Sequence, residues 1–374
     1  MRFAGLVVVA MVAAACGGSE TADSGGAATG ESTGGASTAG GDTAASTAGG
    51  DTAASTTLEP LASGFPSGPI TLIVEDDPGS SDSIYASMLQ EALRDISPVR
   101  IEIEHRGDFG NLGTWEAQRF LNGEEAGREG RILIVGTVPG FVTDGVVVDM
   151  EAEIGLTLED FNPLISTERL IYPLHAHIDA PFDTMQEMLD FCAANPGVIR
   201  YISGGPGSGQ DVTFMWYMAQ FGCEVETIIG GGATDRARAV AAGEGHVTLS
   251  RPDDVLPHFE SGRVKVLMVQ GDEPAQEPWT TAVNASDMGI EDDPFPTYRM
   301  LLMATEVPAE NEAWLFELFS TAVDDAEYRA NREGIAPGLS HVLLNGDESF
   351  AIMQRLYDEM VPILDAQGVY FGNQ

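Results

Sequence analysis

The stretch Pro69–Leu93, PITLIVEDDPGSSDSIYASMLQEAL, constrains the fold most. Ile70, Leu72 and Val74 belong to a β-branched apolar run short enough for a buried strand. Asp77-Pro78-Gly79-Ser80-Ser81-Asp82 is dense in turn formers and offers a helix start. Ile84, Met88, Leu89 and Leu93 then recur at helical spacing. Free N–H groups and the positive end of the helix dipole meet in such a loop, which favours an anion. One such loop alone is an ordinary βα turn, but this chain repeats the device.

Alternation of strands and helices from Phe65 onward is the mark of an α/β fold. Val99–Glu104 and Arg131–Val135 read as strands, the second stopped by Gly136-Thr137-Val138-Pro139-Gly140. A second unit follows near Ile171. Its helix Met185–Ala194 ends at Asn195-Pro196-Gly197, and its strand Ile199–Ile202 runs into Ser203-Gly204-Gly205-Pro206-Gly207-Ser208-Gly209-Gln210-Asp211. Helices Val212–Phe221 and Arg236–Ala242 and strands Glu224–Ile229, His246–Leu249 and Lys265–Val269 complete it. The chain then returns to the first unit through a strand at Met300–Ala304 and helices at Trp314–Val323 and Ser349–Leu364. Ligands collect at the carboxyl ends of strands in open α/β sheets. Two such units face to face make a cleft lined by N–H groups and hydroxyls.

The amino end carries an address. Arg2, the apolar Leu6–Val12 and Ala13-Ala14-Ala15-Cys16 read as a lipoprotein signal over residues 1–15, with Cys16 as the lipidated residue. Residues 16–63 are almost all Gly, Ala, Ser and Thr, with a nine-residue repeat at Gly40 and Gly49, and are expected to be disordered. Such a coil spans roughly 35–40 Å and lets a tethered domain stand off a membrane. Domain 1 is then residues 64–170 plus 296–374, and domain 2 residues 171–295.

Acidic residues outnumber basic ones by 58 to 18, and Lys265 is the only lysine. Nucleic acid is excluded as a partner, because phosphate backbones need basic stripes. Any anion must be held by local dipoles or by an individual arginine. Ser208 does not lie in a G-x-S-x-G elbow, since Pro206 and Gln210 stand where glycine is needed. No phosphate-loop lysine follows either glycine-rich loop. The histidines at 175, 177, 246 and 258 lack the spacing of a metal set. No enzyme, cofactor or metal is therefore expected, with a hydrolase as the rival class.

The motifs, in order, resemble the substrate-binding receptors of tripartite tricarboxylate transporters, the Bug-type extracytoplasmic solute receptors. Phe65-Pro66 with Pro69–Val74 is similar to their opening strand, and Gly79-Ser80-Ser81-Asp82 to the end of their first loop. Arg106 and Gly110-Asn111-Leu112-Gly113 fall in the second loop, and Asp160–Leu164 resembles a DFxPI segment. Asn195-Pro196-Gly197 with Ser203, Gly205, Gly207 and Ser208 resembles the NPG strand and SAGxGS loop, and Pro257–Arg263 the PHIKSGK segment. The chain departs from the pattern at Asp77-Pro78, Tyr85-Ala86, Asp211 and Ile229-Gly230-Gly231. The resemblance implies a two-domain Venus-flytrap fold of the periplasmic-binding type, each domain a mixed sheet flanked by helices. It implies an extracytoplasmic, lipid-anchored monomer that captures a small carboxylate and delivers it to one large and one small membrane subunit. A sensing receptor without transport is the alternative.

The candidate ligand-binding residues are Gly79, Ser80, Ser81, Asp82, Thr137, Ser203, Gly205, Gly207, Ser208, Gly209, Asp211, Ser250 and Arg251. Asp82 is expected to cap its helix or hold a bridging water, and Asp211 to do the same or to meet an amino group. Arg251 follows a strand and stands either at the cleft edge or in a surface pair with Asp253 or Asp254. Trp216 and Trp314 read as core. Cys192 and Cys223 are a possible disulfide in an oxidising compartment, with two buried thiols as the equal alternative.

Overall fold

Two six-stranded mixed sheets, one per lobe, organise the protein. The computed structural model describes residues 57–205, 208–291, 293–366 and 368–373. The signal, Cys16, nearly all of the linker and Gly207 lie outside the described residues.

The first lobe contributes strands β1 (Ile70–Val74), β2 (Ile101–His105), β3 (Ile132–Val138) and β4 (Asn162–Leu170). Its helices up to that point are α1 (Ser81–Leu93), α2 (Gly113–Gly123), α3 (Glu125–Arg128), α4 (Gly140–Val147) and α5 (Met150–Ile154). The second lobe contains β5 (Pro173–His177), α6 (Met185–Ala194), β6 (Ile199–Ser203), α7 (Gly209–Phe221) and β7 (Val225–Ile229). It continues with α8 (Ala233–Ala241), β8 (Val247–Leu249), α9 (Pro252–Glu260), β9 (Val264–Val269) and β10 (Val283–Asn284). The chain re-enters the first lobe as β11 (Thr297–Met303), α10 (Ala309–Asp324), α11 (Ala326–Ile335), β12 (Ser340–Asn345) and α12 (Gly346–Ala366).

The strand orders are β12-β4-β11-β3-β1-β2 and β10-β9-β5-β8-β6-β7. In the first sheet β1 runs parallel to β2 and β3, and β11 is antiparallel to β3 and β4. The second has the same mixture, with β6 parallel to β7 and β8, and β5 antiparallel to β8 and β9. Ile70, Leu72, Ile73 and Val74 are all fully buried, so β1 is covered on both faces. That is why it reads as a continuous apolar run rather than an alternating one. Its helix α1 closes one apolar cluster with Tyr85, Leu89 and Leu93 against Trp314, Leu318 and Phe319 of α10. The second lobe has its own core around Tyr201, Phe214 and Met218.

The lobes are joined at two places. Only Ile171 and Tyr172 separate β4 from β5, and residues 285–296 connect β10 to β11. Cys192, near the end of α6, and Cys223, just before β7, form a disulfide with Cα atoms 5.7 Å apart, inside the span such bridges need. No helix of the described residues is long and apolar enough to cross a membrane.

Candidate functional site

The site is built where the carboxyl ends of strands from both lobes meet helix starts. Ser80 caps α1 by accepting from the Ser83 N–H at 3.2 Å. Ser208 caps α7 by accepting from the Asp211 N–H at 3.3 Å. The helix α4 begins at Gly140 after Pro139 with no side-chain cap. First-turn N–H groups of a helix have no intrahelical partner. At α4 and α7 these groups come together, because a Cβ built on Gly209 would lie 2.8 Å from the Gly140 nitrogen. Only glycine lets the two helix starts approach so closely. Val212, one turn into α7, packs in the same apolar cluster as Phe141 and Val142 of α4.

Between these helix starts lies a cavity of about 230 Å³. Its walls include Thr137, Pro139, Gly140 and Phe141 from the first lobe and Ser208, Gly209, Gln210 and Arg251 from the second. Tyr172, at the crossing between the lobes, completes the lining with Thr114 and Val135. Four acidic side chains share it: Glu75 and Asp76 after β1, Asp82 on α1 and Asp144 on α4.

Asp82 is the electrostatic centre. It accepts from Arg251 Nη1 at 2.6 Å, from Arg299 Nε at 3.0 Å and from the Thr137 hydroxyl at 3.2 Å. These cations overcome its burial and hold its carboxyl down at about 2. Ser80, and not Asp82, caps α1. Arg251 is 5% exposed and also reaches Asp254 and Asp76, both at 3.3 Å, so it belongs to the cleft and not to a surface pair. The network continues inward. Glu168 in β4 accepts from Arg299 Nη1 at 2.8 Å and from Arg332 Nε and Nη2 at 2.6 and 2.9 Å. Ser81 takes an Arg299 hydrogen bond at 2.6 Å and donates across the lobes to Asp253, 2.6–2.7 Å away.

Two carboxyls stand apart from these cations. Burial pushes Glu75 up to about 8, against a hydrogen bond from Thr114, and the carboxylates of Asp76, Asp82 and Asp144 raise it further. Burial alone pushes Asp144 up to about 7.

Of the residues chosen from sequence, Asp82, Thr137, Ser208, Gly209 and Arg251 line the cavity. Ser203 and Asp211 lie beneath it, where Asp211 accepts from the Ser203 hydroxyl, from the Tyr201 hydroxyl at 2.6 Å and from the Gly204 N–H at 3.1 Å. Asp211 thus ties its helix to β6, and Gly205, at φ +104°, turns the loop above it. Ser80 and Ser81 are spent on a cap and on the network. Gly79 lines a separate hollow with Met88 and Tyr328, and Ser250 is fully buried after β8. Sequence reasoning missed Glu75, Asp144, Tyr172, Arg299 and Arg332. The one available signal was Glu75, an acid at the carboxyl end of the first strand.

Two lobes of this topology, with a polar cavity at their junction, have the fold of two-domain periplasmic binding proteins. The receptor model of the tripartite tricarboxylate transporter family matches residues 143–293, so the family read from the motifs is the one that the comparison finds. That family is one of binding receptors and not of enzymes. The periplasmic binding protein BugD superposes with a TM-score of 0.69 at 16% identity, over 82% of this chain and 99% of its own. An R. palustris protein solved with adipate gives the same TM-score, identity and shares of the two chains. MatC from Rhodopseudomonas palustris, with bound malate, gives 0.60 at 16% identity over 80% of this chain and 98% of its own. At such identities the likeness is one of fold. No curated protein matches the sequence.

Proposed function

We propose that this protein is an extracytoplasmic receptor that closes on a small carboxylate-bearing solute. It then hands the solute to the large and small membrane subunits of a tripartite transporter. The observation that carries the reading is the meeting of the α4 and α7 starts at the cavity. Unspent N–H groups and two helix dipoles there seat a carboxylate that the acidic surroundings would otherwise repel. Thr137 and Ser208 add hydroxyls. Solved relatives in fold that hold adipate and malate support the ligand class. A lipid on Cys16 and the linker to residue 63 would tether the receptor to its membrane. Domain 1, residues 64–170 plus 296–374, and domain 2, residues 171–295, would then hinge at the two crossings.

Ser208→Phe tests it. The ring fills the cavity while leaving the cores of both lobes untouched. A solute found by thermal-shift screening of small carboxylates should lose all measurable calorimetric binding to this variant, whose circular dichroism stays unchanged. Undiminished affinity places the ligand elsewhere and removes the reading.

A further inference from the structure

We infer that the cleft selects a solute carrying an ammonium group beside its single carboxylate, and excludes dicarboxylates. The inference rests on the receptor reading above and deepens it. The cavity has one basic side chain against four acidic ones. That base, Arg251, has a carboxylate at each of its three nitrogens: Nη1 binds Asp82 at 2.6 Å, Nη2 binds Asp76 at 3.3 Å and Nε binds Asp254 at 3.3 Å. Arg299 is 0% exposed, and its three donor nitrogens are spent on Asp82, Glu168 and Ser81. Among the described residues, the one guanidinium that lines the cavity already has its charge met by three carboxylates.

The acids are in the opposite condition. Among the described residues, neither Glu75 nor Asp144 pairs with a cation. The Oε1 atom of Glu75 is buried without a hydrogen-bond partner. Around Glu75 stand Thr114, Asp76, Asp82 and Asp144, so its neighbours offer one hydroxyl and three further acids. A buried carboxyl in such surroundings is costly until a donor of opposite charge meets it. An ammonium supplies three donors and the charge. A second carboxylate would supply neither, and once Glu75 and Asp144 have lost their protons it would add repulsion. The helix starts of α4 and α7 provide for one anion, and the Glu75–Asp144 wall provides for one cation. At about 230 Å³ the cavity is also smaller than the roughly 300 Å³ at which drug-sized pockets begin, so the two charges sit on a short molecule.

Calorimetry on the intact body of the protein decides this, with short α,ω-amino acids set against dicarboxylates of the same chain lengths. At least one amino acid of the series should bind at least tenfold more tightly than its dicarboxylate. Its affinity should rise from about pH 6 to about pH 8.5, as Glu75 and Asp144 give up their protons. Buffers of different ionisation heat should report a proton released on binding. Glu75→Gln and Asp144→Asn should each weaken amino-acid binding at least tenfold. Tighter binding of a dicarboxylate, proton uptake on binding, unchanged affinity in both variants, or no binding by any amino acid of the series overturns the inference. The two readings fail separately. Dicarboxylate binding that Ser208→Phe abolishes leaves the receptor standing and removes only the ammonium. Binding that survives Ser208→Phe removes the cleft itself.

Discussion

Replacing Glu168 by glutamine tests the charge network beneath the cleft. Glu168 is 0% exposed and faces two arginines that are equally buried. The amide keeps the size but removes the charge that compensates Arg299 and Arg332. Arg299 keeps Asp82 and Ser81, whereas the one carboxylate left to Arg332 among the described residues is that of Asp253, 3.8 Å away. Removing one partner of a buried pair costs about 3–5 kcal/mol, because the other charge stays buried. An unfolding entropy of about 2.1 cal/mol/K per residue gives roughly 0.7 kcal/mol/K for a body of about 320 residues. The melting midpoint should therefore fall by about 4–7 °C. Urea titration followed by circular dichroism measures the free energy, and calorimetry the midpoint. The double change Glu168→Leu with Arg332→Met should recover most of the loss, since a well-packed apolar pair replaces a buried ionic one at little cost. A loss below about 1 kcal/mol in Glu168→Gln, as for an exposed pair, would show that water reaches the network and would refute the reasoning.

Three further outcomes are expected. Glu75 and Asp144 have folded-state values near 8 and 7, above their ordinary 4.5 and 3.8, so the empty protein loses stability as pH rises through those windows. Its melting midpoint should fall from about pH 5 to about pH 8, and Glu75→Gln should flatten that slope; a flat wild-type profile counts against the buried carboxyls. Gly209→Ala puts a Cβ against Gly140 and should hold the lobes apart, seen as weaker ligand binding and a larger radius of gyration in X-ray scattering. Cys192 and Cys223 close a loop with a sequence separation of 31, so replacing both by alanine should cost about 3–4 kcal/mol in the chain-entropy account. Two free thiols at these positions in unfolded, unreduced protein would exclude the bridge.

The elements with clean periodicity were legible in the sequence. Met185–Ala194 has the predicted bounds, and β1, β6 and β9 lie within a residue or two of their expected places. The strand β4 was hidden because Ser166-Thr167-Glu168-Arg169 interrupts its apolar run. In the structure Ser166, Thr167 and Glu168 are buried all the same, each satisfied by partners on other elements. Arg299 escaped notice because the expected strand began at Met300, one residue past it, whereas β11 begins at Thr297. The loops that carry the cavity were found through their glycines and serines. Their division of labour was not, because caps, ties to the sheet and cavity wall all use the same residue types. Glu75 and Asp144 come 69 residues apart in the chain, and nothing local marks either as a wall of one cavity.

The junction between β4 and β5 has a mechanical consequence. Tyr172 is 3% exposed, is half of a two-residue crossing between the sheets, and also lines the cavity. Its N–H and C=O are both held by Gln270, at the end of β9. A molecule resting on Tyr172 would press beside the shorter of the two crossings between the lobes. If the lobes turn about this crossing, a small displacement beside it would subtend a large angle, so one methylene more in a solute would widen the lobe separation at the far rim. On the proposed receptor reading, the tyrosine would act as a short-armed gauge, and the outer shape would follow the length of what the cleft holds.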